Sequence, residues 1–223
     1  MSVKLVTSLC CALLLAGAGP LHAKKPELPE VTEEGLHLVP DSRLAVVYAD
    51  PEANLGPYKR VRLIDTYVAF KKNWLRDQRS RSAQPLNVTT KDVERMKEKM
   101  AAEFNEVFAE VLEAGGYPVV DEADDDVLLI RPAIIDLYPN APDTQRGGRS
   151  MTYASSAGEM TLYIELYDSV SGALLAKALD RRVDRNNTGT YTWSNSVSNK
   201  QASRRILKDW ATILLDALND AKQ

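Results

Sequence analysis

Cysteine and histidine are almost missing from this chain. Among 223 residues the only cysteines are Cys10 and Cys11, and the only histidines are His22 and His37. Residues 1–23 read as a secretory signal, with Lys4 as the basic start, Leu9 to Ala18 as the apolar middle and Ala23 as the small residue before the cut. Cleavage between Ala23 and Lys24 removes both cysteines and His22, so the mature chain carries no thiol and one histidine, His37. Catalytic triads, Cys-His dyads and multi-histidine zinc centres all need residue types that it barely holds. Glycine-rich phosphate loops are lacking too, since Gly147-Gly148 is a bare pair, and no cofactor is expected.

Long apolar runs are also lacking. The ten residues Leu9 to Ala18 are too few to cross a bilayer, so no transmembrane segment is expected. Leu15-Ala16-Gly17 precedes Ala18, where a lipoprotein signal carries the cysteine that receives the lipid, and a soluble periplasmic product follows. Without disulfides it relies on packing alone, for which about 200 residues suffice in one domain. Strong charge of one sign is absent as well. The chain has 28 Lys and Arg against 31 Asp and Glu, and removal of Lys4 leaves 27 − 31 = −4. That mild acidity excludes a nucleic-acid field.

What is present is an almost unbroken apolar run, Val127 to Tyr138, VLLIRPAIIDLY. Its Ile and Val content, its length and Pro132 in its middle favour a strand buried on both faces, with the rest of the chain covering it. Thr90 to Glu113 places Val93, Met96, Met100, Phe104, Val107, Phe108, Val111 and Leu112 on one stripe of a helix. Thr89 and Asp92 approximate a capping box, and Gly115-Gly116 ends the helix. Ser198 to Ala221 forms a second long helix with Ala202, Ile206, Trp210, Ile213, Leu214 and Ala217 on one side. Met160 to Leu166 alternates as a half-buried strand, Asp168 to Gly172 is a hairpin loop, and Ala173 to Val183 is the return strand. Leu44 to Tyr48, Val61 to Phe70 and Tyr117 to Val120 supply further short strands. Residues 24–35 form a flexible lead by composition, and Lys71 to Pro85, Pro139 to Gly158 and Asp184 to Val197 read as loops. The expected fold is one α+β domain over residues 36–223: a mixed sheet of about five strands with two long helices on one face.

Candidate sites are few. Lys71, Lys72, Trp74, Arg76, Arg79 and Arg81 crowd eleven residues, with Arg181, Arg182 and Arg185 as a second basic group. Such a loop can dock on an envelope protein or on an anionic envelope polymer such as lipopolysaccharide, with Trp74 folding back on the core as the structural alternative. Trp193, in a polar loop, is a candidate for stacking on a sugar ring, whereas Trp210 belongs to the helix stripe. Asp121, Glu122, Asp124, Asp125 and Asp126 lack calcium-loop spacing and read as a solvated turn. Asp65, Asp136 and Glu165 are what remains for a carboxylate-dependent hydrolase or binder of cell-wall glycan.

Several short motifs in order resemble the domain of unknown function 3313 family of Gram-negative envelope proteins. They are Val47-Tyr48-Ala49-Asp50-Pro51, Tyr58 with Val61 and Ile64-Asp65, Trp74, Asp180-Arg181-Arg182, Trp193 and Trp210. The resemblance spans residue 36 to the C-terminus, and it implies an envelope location without an assigned activity. Many members resemble lipoproteins, from which Ala18 departs. A secreted, non-enzymatic binding or scaffold protein is the expected function.

Overall fold

In the computed structural model, which describes residues 28–80, 88–139, 152–154, 156–185, 192–194 and 196–222, the central apolar run becomes strand β5, Val127–Pro139. The signal segment with its cleavage position, Arg81 and Gly147-Gly148 lie outside these residues. Before β5 come β1 (His37–Leu38), β2 (Val46–Ala49), β3 (Arg60–Leu63), β4 (Tyr67–Phe70), α1 (Trp74–Arg79) and α2 (Thr90–Ala114). After it come β6 (Thr152–Ala154), β7 (Ser156–Asp168), β8 (Leu174–Arg185), β9 (Thr192–Ser194) and α3 (Ser196–Asp220). Seven strands form one mixed sheet in the order β1-β2-β8-β7-β5-β3, with β4 also beside β5, and β6 pairs with β9 separately. The architecture is α+β as expected. Its sheet is wider than five strands because the expected strand at Val61 to Phe70 is two strands and the N-terminal side adds β1.

Pro132 explains the split. Both β3 and β4 run parallel to β5, with Leu63 opposite Ile130 and Tyr67 opposite Ala133, so Arg131 and Pro132 have no partner on that side. The Ile130 carbonyl faces that side, where it receives the Ile64 N–H. Residues two apart face the same way along a strand, so the N–H that proline lacks would have pointed into this gap. The chain bends out there, and Thr66 anchors the bend by donating to Asn105 Oδ1 of α2 at 2.6 Å.

One face of the sheet carries the core. Leu128, Ile130 and Ile134 of β5, with Met160, Leu162, Ile164 and Leu166 of β7, pack against Phe104, Phe108 and Leu112 of α2 and Leu207, Trp210 and Leu218 of α3. The capping box at Thr89 and Asp92 forms in full. The two glycines that stop α2 do so for separate reasons. Gly116 takes φ +88, and its N–H and that of Tyr117 bond back to Glu113 and Leu112, the paired closure of a Schellman end. A side chain at Gly115 would collide with Leu215 of α3, so this glycine sets how closely the two helices approach.

Elsewhere the pairing differs from what local pattern predicts. Tyr117 to Val120 makes a single bridge between Val61 and Val119, not a strand. The basic stretch from Lys71, expected as a loop, contains α1, and β6 and β9 lie inside two other expected loops. Within the stretch that composition assigns to a flexible lead, residues 28–35 are tied down. Leu38 N–H bonds to Glu30, Tyr48 Oη donates to the Pro29 carbonyl at 2.9 Å, and Lys177 Nζ meets Glu34 at 2.8 Å. That segment lies on the sheet face opposite the helices.

Candidate functional site

The charged residues at the C-terminal end of β4 and β5 form the most distinctive polar arrangement. Glu159 enters from the first half of β7 and stands opposite Tyr138 on one side and Val183 on the other. Its carboxylate receives Lys71 Nζ at 2.7 Å and the guanidinium of Arg181. The two basic groups of the sequence therefore meet at one acid. Burial opposes ionisation of Glu159, but Lys71 and Arg181 outweigh it and hold the carboxyl below its usual range. Lys71 also lies over the Tyr138 ring, 5.4 Å from its centroid.

The other cations of the first basic group divide. Lys72 and Arg76 are exposed, and Arg76 has a 3.5 Å contact with its neighbour Asp77. Arg79 is structural, since its Nε donates to the Val88 carbonyl at 2.9 Å and closes the chain between α1 and α2. Trp74 is 1% exposed, packs 4.4 Å from Phe70 and donates its indole N–H to the Pro139 carbonyl. It belongs to a small core with Val88 and Met96, so its ring is not available for stacking on a ligand. Trp193 is described by its backbone, opposite Tyr153 in the β6–β9 pair.

A second node lies on the same face of β7. Glu165 accepts from Tyr163 Oη at 2.5 Å and Tyr167 Oη at 2.9 Å, while Arg131, directly opposite it on β5, stays at 3.4 Å. Burial first, and then the bond to Glu165, raises the pKa of both tyrosines, so they stay protonated donors. Asp65 is exposed at the bend between β3 and β4. Asp136 is exposed at a bulge of β5 with φ 51. It stands five residues, about 16 Å of extended strand, beyond the residue opposite Glu165. Paired glycosidase carboxyls sit within about 10 Å, so Asp136 and Glu165 do not form such a pair.

The acidic turn is solvated as expected, with Asp121 to Asp125 exposed, and an arginine ties down its end. Arg60 of β3 reaches both Asp124 and Asp126 and lowers the pKa of each, which pins the entry of β5 to the sheet edge. Among the described residues no group of three acidic, histidine or cysteine side chains is placed to hold a metal ion. Nor does any described helix have the length and apolar content to cross a membrane.

One further acid was not singled out by composition. Asp180 of β8 points to the helical side, where Trp210 Nε1 donates to it at 2.7 Å, Ala45 N–H at 3.0 Å and Arg182 Nε at 2.5 Å. Its Asp-Arg-Arg motif was legible, but its partners are far away in sequence.

The fold and its charged open face define a one-domain α+β protein built as a helix layer under one seven-stranded sheet. The family model Protein of unknown function (DUF3313) matches residues 37–214, and the chain belongs to that family. No curated protein matches it in sequence. Among solved structures, a PelC dodecamer from Paraburkholderia phytofirmans is 12% identical with a TM-score of 0.39, over 75% of this chain and 96% of that one. A minor lipoprotein from Acinetobacter baumannii is 11% identical with a TM-score of 0.33, over 71% and 91%. A DUF4136 family protein from Bacteroides thetaiotaomicron is 15% identical with a TM-score of 0.34, over 77% and 95%. Likeness at this level says nothing of activity or assembly.

Proposed function

We propose that this chain is a non-enzymatic binding protein of the Gram-negative cell envelope, exported to the periplasm by residues 1–23 and engaging an anionic envelope polymer through the basic end of its sheet. The supporting observation is the convergence of Lys71 and Arg181 on Glu159, with Lys72 and Arg76 exposed in the segment that follows Lys71. The half-buried acid fixes the positions of two cations from distant strands, so the end of the sheet holds its positive charge in place before any ligand arrives. The separation of Asp136 from Glu165 favours binding over a carboxylate hydrolysis that uses that pair.

The test replaces Lys72, Arg76 and Arg181 with Ser and keeps Lys71 to satisfy Glu159. Sedimentation of the mature protein with vesicles containing lipopolysaccharide should fall at least fivefold and should weaken with salt in the parent protein. Equal sedimentation of variant and parent removes the proposal.

A further inference from the structure

The face opposite the helices has an unusual vertical order of charge. Glu159 and Glu165 are sunk into it at 17% and 13% side-chain exposure, whereas Arg181 and Arg131 rise from it at 57% and 62%. At these two nodes carboxylates form the floor and guanidinium groups the outer layer, whereas beside Glu165 the order is reversed, with Lys177 at 18% beneath Glu34 at 51%. At the Glu165 node the acid is already satisfied by two tyrosine hydroxyls, and Arg131 contacts it loosely at 3.4 Å and also bonds Tyr167. Most of its five donors are thus left for a ligand. Arg62, opposite Leu129 on β3, falls on the same face by register.

Between the nodes lies an aromatic slot. Ala133, opposite both Tyr67 and Tyr163, is the smallest residue that β5 puts on this face. The two tyrosine strands are two spacings apart, about 10 Å, which leaves room for one ring over Ala133. Tyr67 is 65% exposed. Arg131 stands opposite Glu165 and Arg181 opposite Thr161, so a diagonal of about 16 Å joins them past Tyr163, at the edge of the slot. Lys177 is left out, because Glu34 of the N-terminal segment already occupies it.

From this we infer that the outer face is a track for an acidic polysaccharide, laid from the Lys71 and Arg181 end across the tyrosine slot to Arg131. Cations at both ends fit the carboxylates of such a chain. The flat aromatic slot fits a sugar ring better than a protein side chain, which would need an enclosed apolar pocket. The inference rests on the proposed anionic ligand and adds its class and path.

The test titrates the mature protein with a short alginate oligosaccharide, neutral dextran and polyglutamate. Arg131→Gln and Tyr67→Ser lie away from the basic end, and both are exposed enough to leave the fold intact, which circular dichroism checks. Alginate should bind and dextran should not, with each variant weakening alginate binding about five- to tenfold. Loss in the Lys72, Arg76 and Arg181 variant with none in Arg131→Gln or Tyr67→Ser overturns the track and leaves the basic end standing. Polyglutamate binding as tightly as alginate, with Tyr67→Ser silent, overturns the polysaccharide in favour of an acidic peptide. Absence of binding to alginate overturns the track, whereas the basic end stands or falls with the lipopolysaccharide sedimentation.

Discussion

Removal of the Asp180 carboxylate should be among the most damaging single changes in this protein. Asp180 is 5% exposed and Trp210 is 1% exposed, so the bond between them is sealed from water. In Asp180→Ala the indole N–H of Trp210 and the backbone N–H of Ala45 lose their acceptor inside the fold. Each stranded donor costs about 1–3 kcal/mol. Arg182 can turn to solvent, because its side chain is 38% exposed, and it adds little. The total is about 2–6 kcal/mol, which lowers Tm by roughly 8–16 °C near the middle of that range for a domain of this size. Asp180→Asn keeps one acceptor oxygen and should lose about half as much.

Urea unfolding followed by far-ultraviolet circular dichroism measures these losses. A cycle with Trp210→Phe isolates the bond, and the pair should couple by about 1–2 kcal/mol. A loss below about 1 kcal/mol for Asp180→Ala, or strict additivity in the cycle, refutes the assignment of this acid as the tie between sheet and helix.

The capping-box carboxyl predicts a pH dependence. Thr89 holds Asp92 at a pKa of about 2, below the value of about 3.9 in an unfolded chain. A depressed folded pKa gives stability that is complete above the unfolded value and lost as pH falls toward the folded one. The urea midpoint should therefore be flat from neutrality to about pH 5 and then drop toward pH 2, less steeply in Asp92→Asn; a midpoint that rises on acidification contradicts it. The two glycines after α2 should separate in a rescue experiment. Gly115→Ala should cost about 1–3 kcal/mol and be relieved by Leu215→Ala, whereas Gly116→Ala should cost about 1 kcal/mol and gain nothing from that partner. Trp74→Ala should lower stability by about 3–5 kcal/mol, while Lys72→Ser stays within about 0.5 kcal/mol, both read from urea midpoints.

The elements that were legible are those whose determinants are local. Thr89 and Asp92 are three residues apart, the Schellman glycines adjoin the stripe they end, and Asp168 to Gly172 closes its own loop, with Asp168 accepting from Ser171 and Val170. The central strand was legible from its density of β-branched and aliphatic residues. The break between β3 and β4 was not, because its cause, Pro132, lies far along the chain on the neighbouring strand. Helix α1 is short and polar, and it exists because Trp74 reaches a pocket made by Phe70, Val88 and Met96, a contact that no periodicity in a basic stretch announces.

The same division governs the candidate site. Counting cations found Lys71, Lys72, Arg76 and Arg181, but only pairing tells which are free to meet a ligand. Arg79 is used by the Val88 carbonyl, Arg182 by Asp180 and Lys177 by Glu34. A chain with formal charge −3 thus presents outward arginines at two points of one sheet face, because Glu159 and Glu165 are placed beneath Arg181 and Arg131 instead of beside them. Net charge sums over positions, whereas an approaching polyanion meets the outermost groups first, with the sunken acids at greater distance. Alternation along β7 puts Glu159, Tyr163 and Glu165 on one face, and that much is written in the sequence. Which residues stand over them is fixed by the registers of β5 and β8, and the proposed binding face exists through those registers.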